Sequence, residues 1–212
     1  MDRTKQKIIE NSYFIGGSPC SGKSTTAEIL ADKYGLKYYK IDDYEKEHVD
    51  RAQKAKQPIM SKFREMNWEQ IWMRDPQLQA EEEFEFYRER FKFILEDLKK
   101  FPFDDKLIIE SAALLPELLN ELPINNNQIV YMIPEKGFQI KYYSQRSFKD
   151  HILAECSQPK QAFQNWMERD HLFGQKVKKQ AEYYGFKVLI VDGSNTIKEN
   201  LNIIESHFNL KK

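Results

Sequence analysis

The residues with the clearest chemical potential lie near the start of the chain, in the segment Gly-Ser-Pro-Cys-Ser-Gly-Lys-Ser at positions 17–24. A glycine followed at this spacing by Gly22, Lys23 and Ser24 is the phosphate-loop pattern. Glycines let the backbone bend so that successive amide hydrogens point inward and hold phosphate oxygens at the start of a helix. Lys23 can then bridge the β- and γ-phosphates, and the Ser24 hydroxyl can bind magnesium. The segment therefore predicts a site for ATP with Mg2+.

The context of this loop supports the prediction. Residues 12–16 are typical of a short buried strand and residues 22–34 of a helix that ends at Gly35, which is the setting a phosphate loop requires. The alternative is a glycine turn beside a lysine that matches the pattern by chance. Cys20 is interpreted as a small space-filling residue. The residues expected to contact the nucleotide are Gly17, Ser18, Pro19, Cys20, Ser21, Gly22, Lys23, Ser24 and Thr25.

The elements that must position this loop follow a regular alternation. Further strands are predicted at residues 36–41, 106–109, 128–133 and 187–191, where short apolar runs are bounded by turn-forming residues. The clearest helix, residues 77–100, repeats Phe84, Tyr87, Phe91, Ile94 and Leu98 at steps of three and four. This order predicts a three-layer α/β/α fold with a five-stranded parallel sheet, whose sites lie beyond the carboxyl ends of the strands.

Composition excludes several classes of function. The chain has 33 lysine and arginine residues and 33 aspartate and glutamate residues, so its charges balance. This balance does not favour a nucleic acid or an anionic membrane as the main partner. The 2 cysteines are not arranged as a disulfide framework or a zinc site. No apolar run approaches the roughly 20 residues of a membrane span, and the first residues lack the features of a secretory signal. We expect one cytoplasmic domain, with inserts at about residues 44–75 and 135–184.

On its phosphate loop and element order, the chain resembles the P-loop kinases of small molecules, which include nucleoside, nucleotide, shikimate and gluconate kinases. The resemblance implies Mg2+-dependent transfer of the γ-phosphoryl group of ATP to a hydroxyl or phosphate of a small metabolite, nucleoside or nucleotide. No guanine-recognition motif is present. Two alternatives stay open. The first is an ATP-binding regulatory protein without catalysis. The second is a kinase similar to zeta-type toxins, because residues 16–23 also match the Gly-Gly-x-Pro-x-x-Gly-Lys loop of those proteins.

Carboxylates follow two of the predicted strands. In several of these kinases an aspartate after the second strand activates the acceptor hydroxyl, and the resemblance assigns this role to Asp42. The alternative is that Asp42 and Asp43 cap the next helix, with Asp43 the favoured cap; Asp43 is also a candidate substrate contact. Glu110 is expected to join Ser24 and Asp42 at the magnesium site. Its alternative role is a carboxylate at the start of a helix over residues 112–122.

The resemblance also implies an arginine-bearing helical lid, here expected as two consecutive helices over residues 135–184. Arg146 and Arg169 are its catalytic candidates, because cations there would neutralise charge in the transition state. For Arg146 the alternative is a surface pair with Asp150. Asp170 falls on an apolar helical face and needs a partner, such as Arg146, unless the helix breaks near Gly174.

The acceptor is expected under residues 44–75. Arg64, Trp68, Trp72 and Arg74 combine aromatic faces with anion-binding guanidinium groups, which would suit a ring bearing a carboxylate or phosphate. The alternative is a set of core aromatics with arginines at the wet edge of a helix. By resemblance, residues 192–196 would surround adenine. They could instead form a turn that caps the last helix.

Overall fold

A computed structural model of the protein describes residues 3–102 and 104–210. The strands are β1 (Tyr13–Gly17), β2 (Lys37–Lys40), β3 (Leu107–Glu110), β4 (Ile129–Pro134) and β5 (Lys187–Val191). They form one parallel sheet in the order β2-β3-β1-β4-β5. In the central strand, Ile15 lies opposite Glu110 on one side and Val130 on the other. The predicted five-stranded parallel sheet is confirmed, and every strand lies within one residue of its expected bounds.

Helices cover both faces of this sheet. They are α1 (Arg3–Glu10), α2 (Lys23–Tyr34), α3 (Glu45–Lys54), α4 (Pro58–Glu65), α5 (Trp68–Trp72), α6 (Pro76–Asp97), α7 (Pro116–Leu119), α8 (Lys136–Tyr143), α9 (Phe148–Ala154), α10 (Pro159–Tyr183) and α11 (Ile197–His207). Ile15 packs with α2 and α11 on one face, while its neighbour Phe14 packs with α6 and α10 on the other. The three layers are those predicted. In the described part of the chain, no helix combines the length and apolar character needed to cross a bilayer.

Two predicted helical regions differ from expectation. Residues 112–122 contain only the short α7, because Pro116 disfavours a helical conformation at Leu115. The Ser111 hydroxyl also accepts a hydrogen bond from the Ala113 amide at 3.0 Å, which holds a turn directly after β3. Residues 135–184, expected as two helices, form three, namely α8, α9 and α10.

The long helix α10 continues through Gly174 without the break that the sequence left open. Gly174 lies against the phosphate loop: a Cβ added to it would be 3.1 Å from the Cβ of Ser18. The glycine therefore allows a close approach of α10 to the end of β1. As a consequence, Asp170, one turn earlier, stays buried on the inner face of α10.

Candidate functional site

The phosphate loop connects β1 to α2 at the carboxyl edge of the sheet. Gly17 has φ 128°, and a Cβ at this position would lie 2.0 Å from the carbonyl oxygen of Met132 on β4. The Ser18 amide donates to that same oxygen at 3.2 Å. Cys20 and Gly22 have φ values of 63° and 82°. Glycine is therefore required where the loop leaves the sheet, and the left-handed turns bring its backbone round to the start of α2.

Lys23 and Ser24 both lie near Glu110, the last residue of β3. Lys23 is only 7% exposed; its Nζ donates to the Ser18 carbonyl at 2.9 Å and lies 3.9 Å from Glu110 Oε1. The Ser24 hydroxyl donates to Glu110 Oε2 at 3.1 Å, as does the Tyr38 hydroxyl. The parallel register of β1 and β3 thus brings a cation, a hydroxyl and a carboxylate together behind the loop.

Glu110 is 1% exposed. Burial raises the pKa of its carboxyl, Lys23 opposes this, and the nearby Asp42 reinforces it. Because no helix begins at residue 112, the alternative of a carboxylate at a helix N-terminus is wrong. Glu110 is held by side chains of the loop and of β2.

Asp42 lies in a 3₁₀ turn (Ile41–Tyr44) that follows β2. Its carboxylate accepts a hydrogen bond from the Ser111 hydroxyl at 2.7 Å and is 54% exposed. Asp43 is 66% exposed and pairs with Lys40 at 3.9 Å. The capping alternative is not observed, because the N-cap residue of α3 is Tyr44, without a side-chain hydrogen bond. Of the two aspartates, Asp42 is the one directed to the loop side.

A central cavity of about 210 Å³ lies between these groups. Its walls are the loop residues 19–25 together with Asp42, Tyr87, Glu110, Ala112 and Arg146. Tyr87, predicted only as a core residue, is thus also a wall of the site. The Arg146 guanidinium lies 5.1 Å from the Tyr143 ring centroid. The alternative of a surface ion pair between Arg146 and Asp150 is wrong, since Asp150 pairs with Lys149 at 2.5 Å.

Arg169 and Asp170 lie on α10 just behind the loop. Arg169 Nη1 is 2.6 Å from Glu83 Oε2, and its Nε is 2.8 Å from Asp170 Oδ1 at an angle outside hydrogen-bond geometry. The Ser18 hydroxyl donates to the main-chain oxygen of Asp170 at 3.0 Å. Asp170 therefore has its partner in the adjacent arginine rather than in Arg146. Burial raises the pKa of Asp170 to about 6, although Arg169 opposes the rise.

We expect this buried carboxyl to make stability depend on pH. A raised native pKa means that the folded protein binds the proton more tightly, so the free energy of unfolding falls as the pH rises from about 4 to about 6. Between about pH 4 and pH 7, the free energy of unfolding of the wild type should fall by about 3 kcal/mol relative to that of Asp170→Asn. Urea denaturation of both proteins across this range measures the difference. The other charges near Asp170 (Arg169, Glu83, Lys23 and Arg146) are common to both proteins, and a difference that stays constant with pH would contradict the expectation.

A distal cavity of about 460 Å³ opens on the other side of Arg146. It is lined by the start of α2, by Phe138 and Tyr142 of α8, and by Gly193, Asn195 and Thr196 after β5. The Phe138 and Tyr142 rings are 4.3 Å apart. Thr196 also caps α11 through a capping box with Glu199. The capping alternative for residues 192–196 is therefore observed at Thr196, while the adenine loop stays a prediction.

An aromatic cavity of about 450 Å³ adjoins the central cavity and shares no lining residue with the distal one. It is lined by the four residues predicted for acceptor binding, Arg64, Trp68, Trp72 and Arg74, and by further side chains of α3 to α6 and α10. Tyr87 lines both this cavity and the central one. The fold thus brings the predicted aromatic and cationic groups next to Asp42 and the loop, and Asp43 is not among the residues that line these cavities.

The site also contains residues that sequence reasoning missed, most notably Arg90. It is 0% exposed; its Nη2 donates to the Ile41 carbonyl at 2.8 Å, and its Nη1 lies 3.0 Å from Glu45 Oε2 and 3.7 Å from Asp42 Oδ1. The signal was available: Glu83, Arg90 and Asp97 recur at helical spacing on the buried face of α6. Charged side chains on the buried face of a helix need polar partners, so this pattern predicts that they pair with residues of neighbouring elements.

The residues present fit a nucleotide with magnesium. The loop backbone turns around the central cavity from the end of β1 to the start of α2, and Ser24 and Glu110 offer the oxygen ligands that Mg2+ prefers. Over residues 3–102 and 104–210, no group of three or more His, Cys, Asp or Glu side chains is spaced to hold a metal. Magnesium in nucleotide sites draws most of its shell from phosphates and water, so a hydroxyl and one or two carboxylates match this mode of binding.

Comparison with known proteins gives structural likenesses only. No protein-family model matches the chain, and no curated protein sequence matches it. An uncharacterized protein from Eubacterium ventriosum is 14% identical, with a TM-score of 0.45, over 94% of this chain and 99% of that one. The shikimate kinase of Acinetobacter baumannii, solved in complex with shikimate, is 14% identical, with a TM-score of 0.45, over 97% of both chains. Similarity at this level does not indicate what the protein binds or which reaction it catalyses.

Proposed function

We propose that this protein is a Mg2+-dependent phosphotransferase that moves the γ-phosphoryl group of ATP to a hydroxyl group of a small molecule. The observation that carries the proposal is the central cavity, in which Lys23, Ser24, Glu110 and Asp42 converge between two larger cavities. A nucleotide needs a phosphate cradle with room for its base on one side, and an acceptor needs room on the other. The three adjoining cavities supply all of these.

The chain would bind the nucleotide through its loop. The amides of residues 20–24 and Lys23 would hold the phosphates, while the base would enter the distal cavity beside Phe138 and Tyr142. Ser24, Glu110 and Asp42 would hold magnesium, which supplies charge neutralisation on the phosphate oxygens. Glu110 would also help to orient Lys23, since its carboxylate lies 3.9 Å from Nζ.

The acceptor would enter through the aromatic cavity. Asp42 lines the central cavity with its carboxylate oriented by Ser111, so it would accept the hydroxyl proton as the phosphoryl group transfers. Arg146 lines both the central and the distal cavity and would neutralise charge there. Arg169 would do the same from the acceptor side. Residues 44–75 and 135–184 would then serve as acceptor-side and lid-like inserts of one domain.

Two measurements test the proposal together. Calorimetric titration with Mg·ATP should give a saturable heat of binding, and a coupled assay of ADP release should show turnover that rises when the correct hydroxyl compound is added. Tight binding of ATP without turnover for any compound of a broad metabolite panel would instead favour the non-catalytic regulatory alternative. The absence of nucleotide binding would remove both.

The role of Asp42 gives a direct prediction. Asp42→Asn removes the proton acceptor and one proposed oxygen ligand of magnesium but keeps the size of the side chain, so we expect turnover to fall about 100-fold and the affinity for Mg·ATP to fall by less. The sequence left both aspartates as candidates for the base, and Asp43→Asn is the matched comparison. Because Asp43 is directed to solvent, its variant should keep most of the activity. Equal losses in both variants would contradict the assignment of Asp42.

A further inference from the structure

The charges that line the aromatic cavity are already neutralised by the protein itself. Its charged lining residues are Glu45, Arg64, Arg74, Glu83 and Arg169, and each has an oppositely charged group within the distance of an ion pair. Arg64 pairs with Asp50, Arg74 with Glu82, Glu45 with Arg90, and Arg169 with Glu83 and Asp170. Lys62 also pairs with Glu82. Five cations thus face five carboxylates.

This pairing bears on the charge of the molecule that enters. An acceptor with a carboxylate or phosphate would have to displace one of the internal carboxylates from its arginine. For Arg74 and Arg169, the displaced carboxylate would be left without its partner in a poorly solvated wall, which is costly. The Arg64–Asp50 pair is about half exposed, so its exchange would cost little. An uncharged molecule requires no such exchange. Of the two arginines predicted from the sequence as anion-binding groups, Arg74 therefore lacks the free charge that anion binding needs, whereas Arg64 lies at the exposed rim of the cavity.

The remaining lining favours a flat ring with polar edges. Phe63, Trp68, Trp72 and Phe86 supply aromatic walls. Gln79 is 3% exposed, and its Nε2 donates to the Arg74 carbonyl while its Oε1 has no hydrogen-bond partner among the described residues. Arg74 Nη2 is likewise unpartnered. Both atoms are closed off from solvent in this conformation, so a ring that carries a donor and an acceptor would satisfy them after a small shift of the two side chains.

We infer that the phosphoryl acceptor is an uncharged, ring-bearing alcohol of the nucleoside type, and not a molecule whose ring carries a carboxylate or phosphate. The inference rests on the proposed phosphotransferase function and names the substrate class of the same site. The volume of about 450 Å³ accommodates a molecule of this size.

Matched pairs of ligands, in which the hydroxyl groups stay free and only a ring carboxylate is added, test the inference: uridine with orotidine, and pyridoxine with 4-pyridoxic acid. Binding is measured by quenching of tryptophan fluorescence at saturating Mg2+ and non-hydrolysable ATP analogue, since Trp68 and Trp72 line the cavity. Turnover is measured by ADP release. We expect the uncharged member of at least one pair to bind and to react about 100-fold better than its anionic partner. Preference for an anionic member, or no response to any uncharged member, would overturn the inference.

A charge variant provides a second, independent readout. Glu82 holds Arg74 and Lys62 and is not itself among the cavity-lining residues. Glu82→Gln should release the charge of Arg74 and strengthen binding of the anionic members about tenfold. Glu81→Gln, which changes an exposed neighbour on the same helix, should leave the preference unchanged. An unchanged preference in Glu82→Gln would count against the neutralised-cavity argument.

Failure of this inference can be distinguished from failure of the proposed function. If ATP binds and an anionic compound is phosphorylated, only the acceptor class is wrong. If Mg·ATP does not bind to the wild type at all, the phosphotransferase assignment itself fails. The nucleotide titration is therefore completed before the acceptor pairs are compared.

Discussion

Replacing Lys23 with alanine should lower phosphoryl transfer about 10³-fold, the size of effect found when a preorganised cationic or hydrogen-bonding group is removed from a transition state. Lys23 is the buried cation of the phosphate loop, and its Nζ is held between the Ser18 carbonyl and Glu110. Removing it would leave the developing phosphate charge without its nearest cation. Glu110 would also lose the opposite charge that favours its ionised form. Affinity for Mg·ATP should fall as well.

The matched control is Lys33→Ala, at the other end of the same helix. Lys33 pairs with Glu205 at 2.6 Å on the surface, so its removal should leave both ATP affinity and turnover nearly unchanged. Calorimetry gives the affinity, the coupled assay gives the rate, and thermal unfolding verifies that both variants are folded. A folded Lys23→Ala protein with wild-type turnover would refute the role of the loop in catalysis.

The sequence predicted those parts of the site that depend on local spacing. The loop conformation follows from glycines at fixed offsets between a strand and a helix, so the turn at residues 17–25 could be predicted from the sequence alone. The carboxyl edge of a parallel sheet gathers strand ends by geometry, which explains why Asp42 and Glu110 were found beside the loop. Short apolar runs bounded by turn residues were sufficient to predict all five strands.

Long-range pairing could not be predicted in the same way. Asp170 was expected to need a partner, but its neighbour Arg169 supplies it, because α10 runs unbroken past the loop. Residues 112–122 had the composition of a helix, yet Pro116 and the Ser111 hydroxyl set a turn there. The pairing of each arginine in the aromatic cavity depends on how α3 to α6 and α10 pack together, which no local pattern encodes.

The partners of Arg90 illustrate the same limit, although its position on the buried face of α6 follows from helical spacing, and this residue carries the second large effect. Arg90 Nε donates to His48 Nδ1 at 3.1 Å, and His48 Nε2 lies 2.8 Å from Asp97 Oδ2. Burial lowers the pKa of His48, which favours the neutral ring, with the Nε2 proton donated to Asp97. The guanidinium therefore links α6 to the strand-end turn that presents Asp42. Its removal leaves the Ile41 carbonyl and Glu45 without a buried partner.

We therefore expect Arg90→Met to lower the free energy of unfolding by about 3–5 kcal/mol, the range for breaking a buried charged network by removing one member. Arg90→Lys should lower the free energy of unfolding by a smaller amount, because lysine keeps the positive charge although it lacks the planar guanidinium group. Arg88→Met, two residues earlier on the partly exposed side of α6, should cost about 1 kcal/mol or less. Urea denaturation compares the three variants with the wild type. Since Arg90 lies 3.7 Å from Asp42, turnover in Arg90→Lys should also fall more than in Arg88→Met. Equal stability and equal activity in the Arg90 and Arg88 variants would show that this buried cation does not position the site.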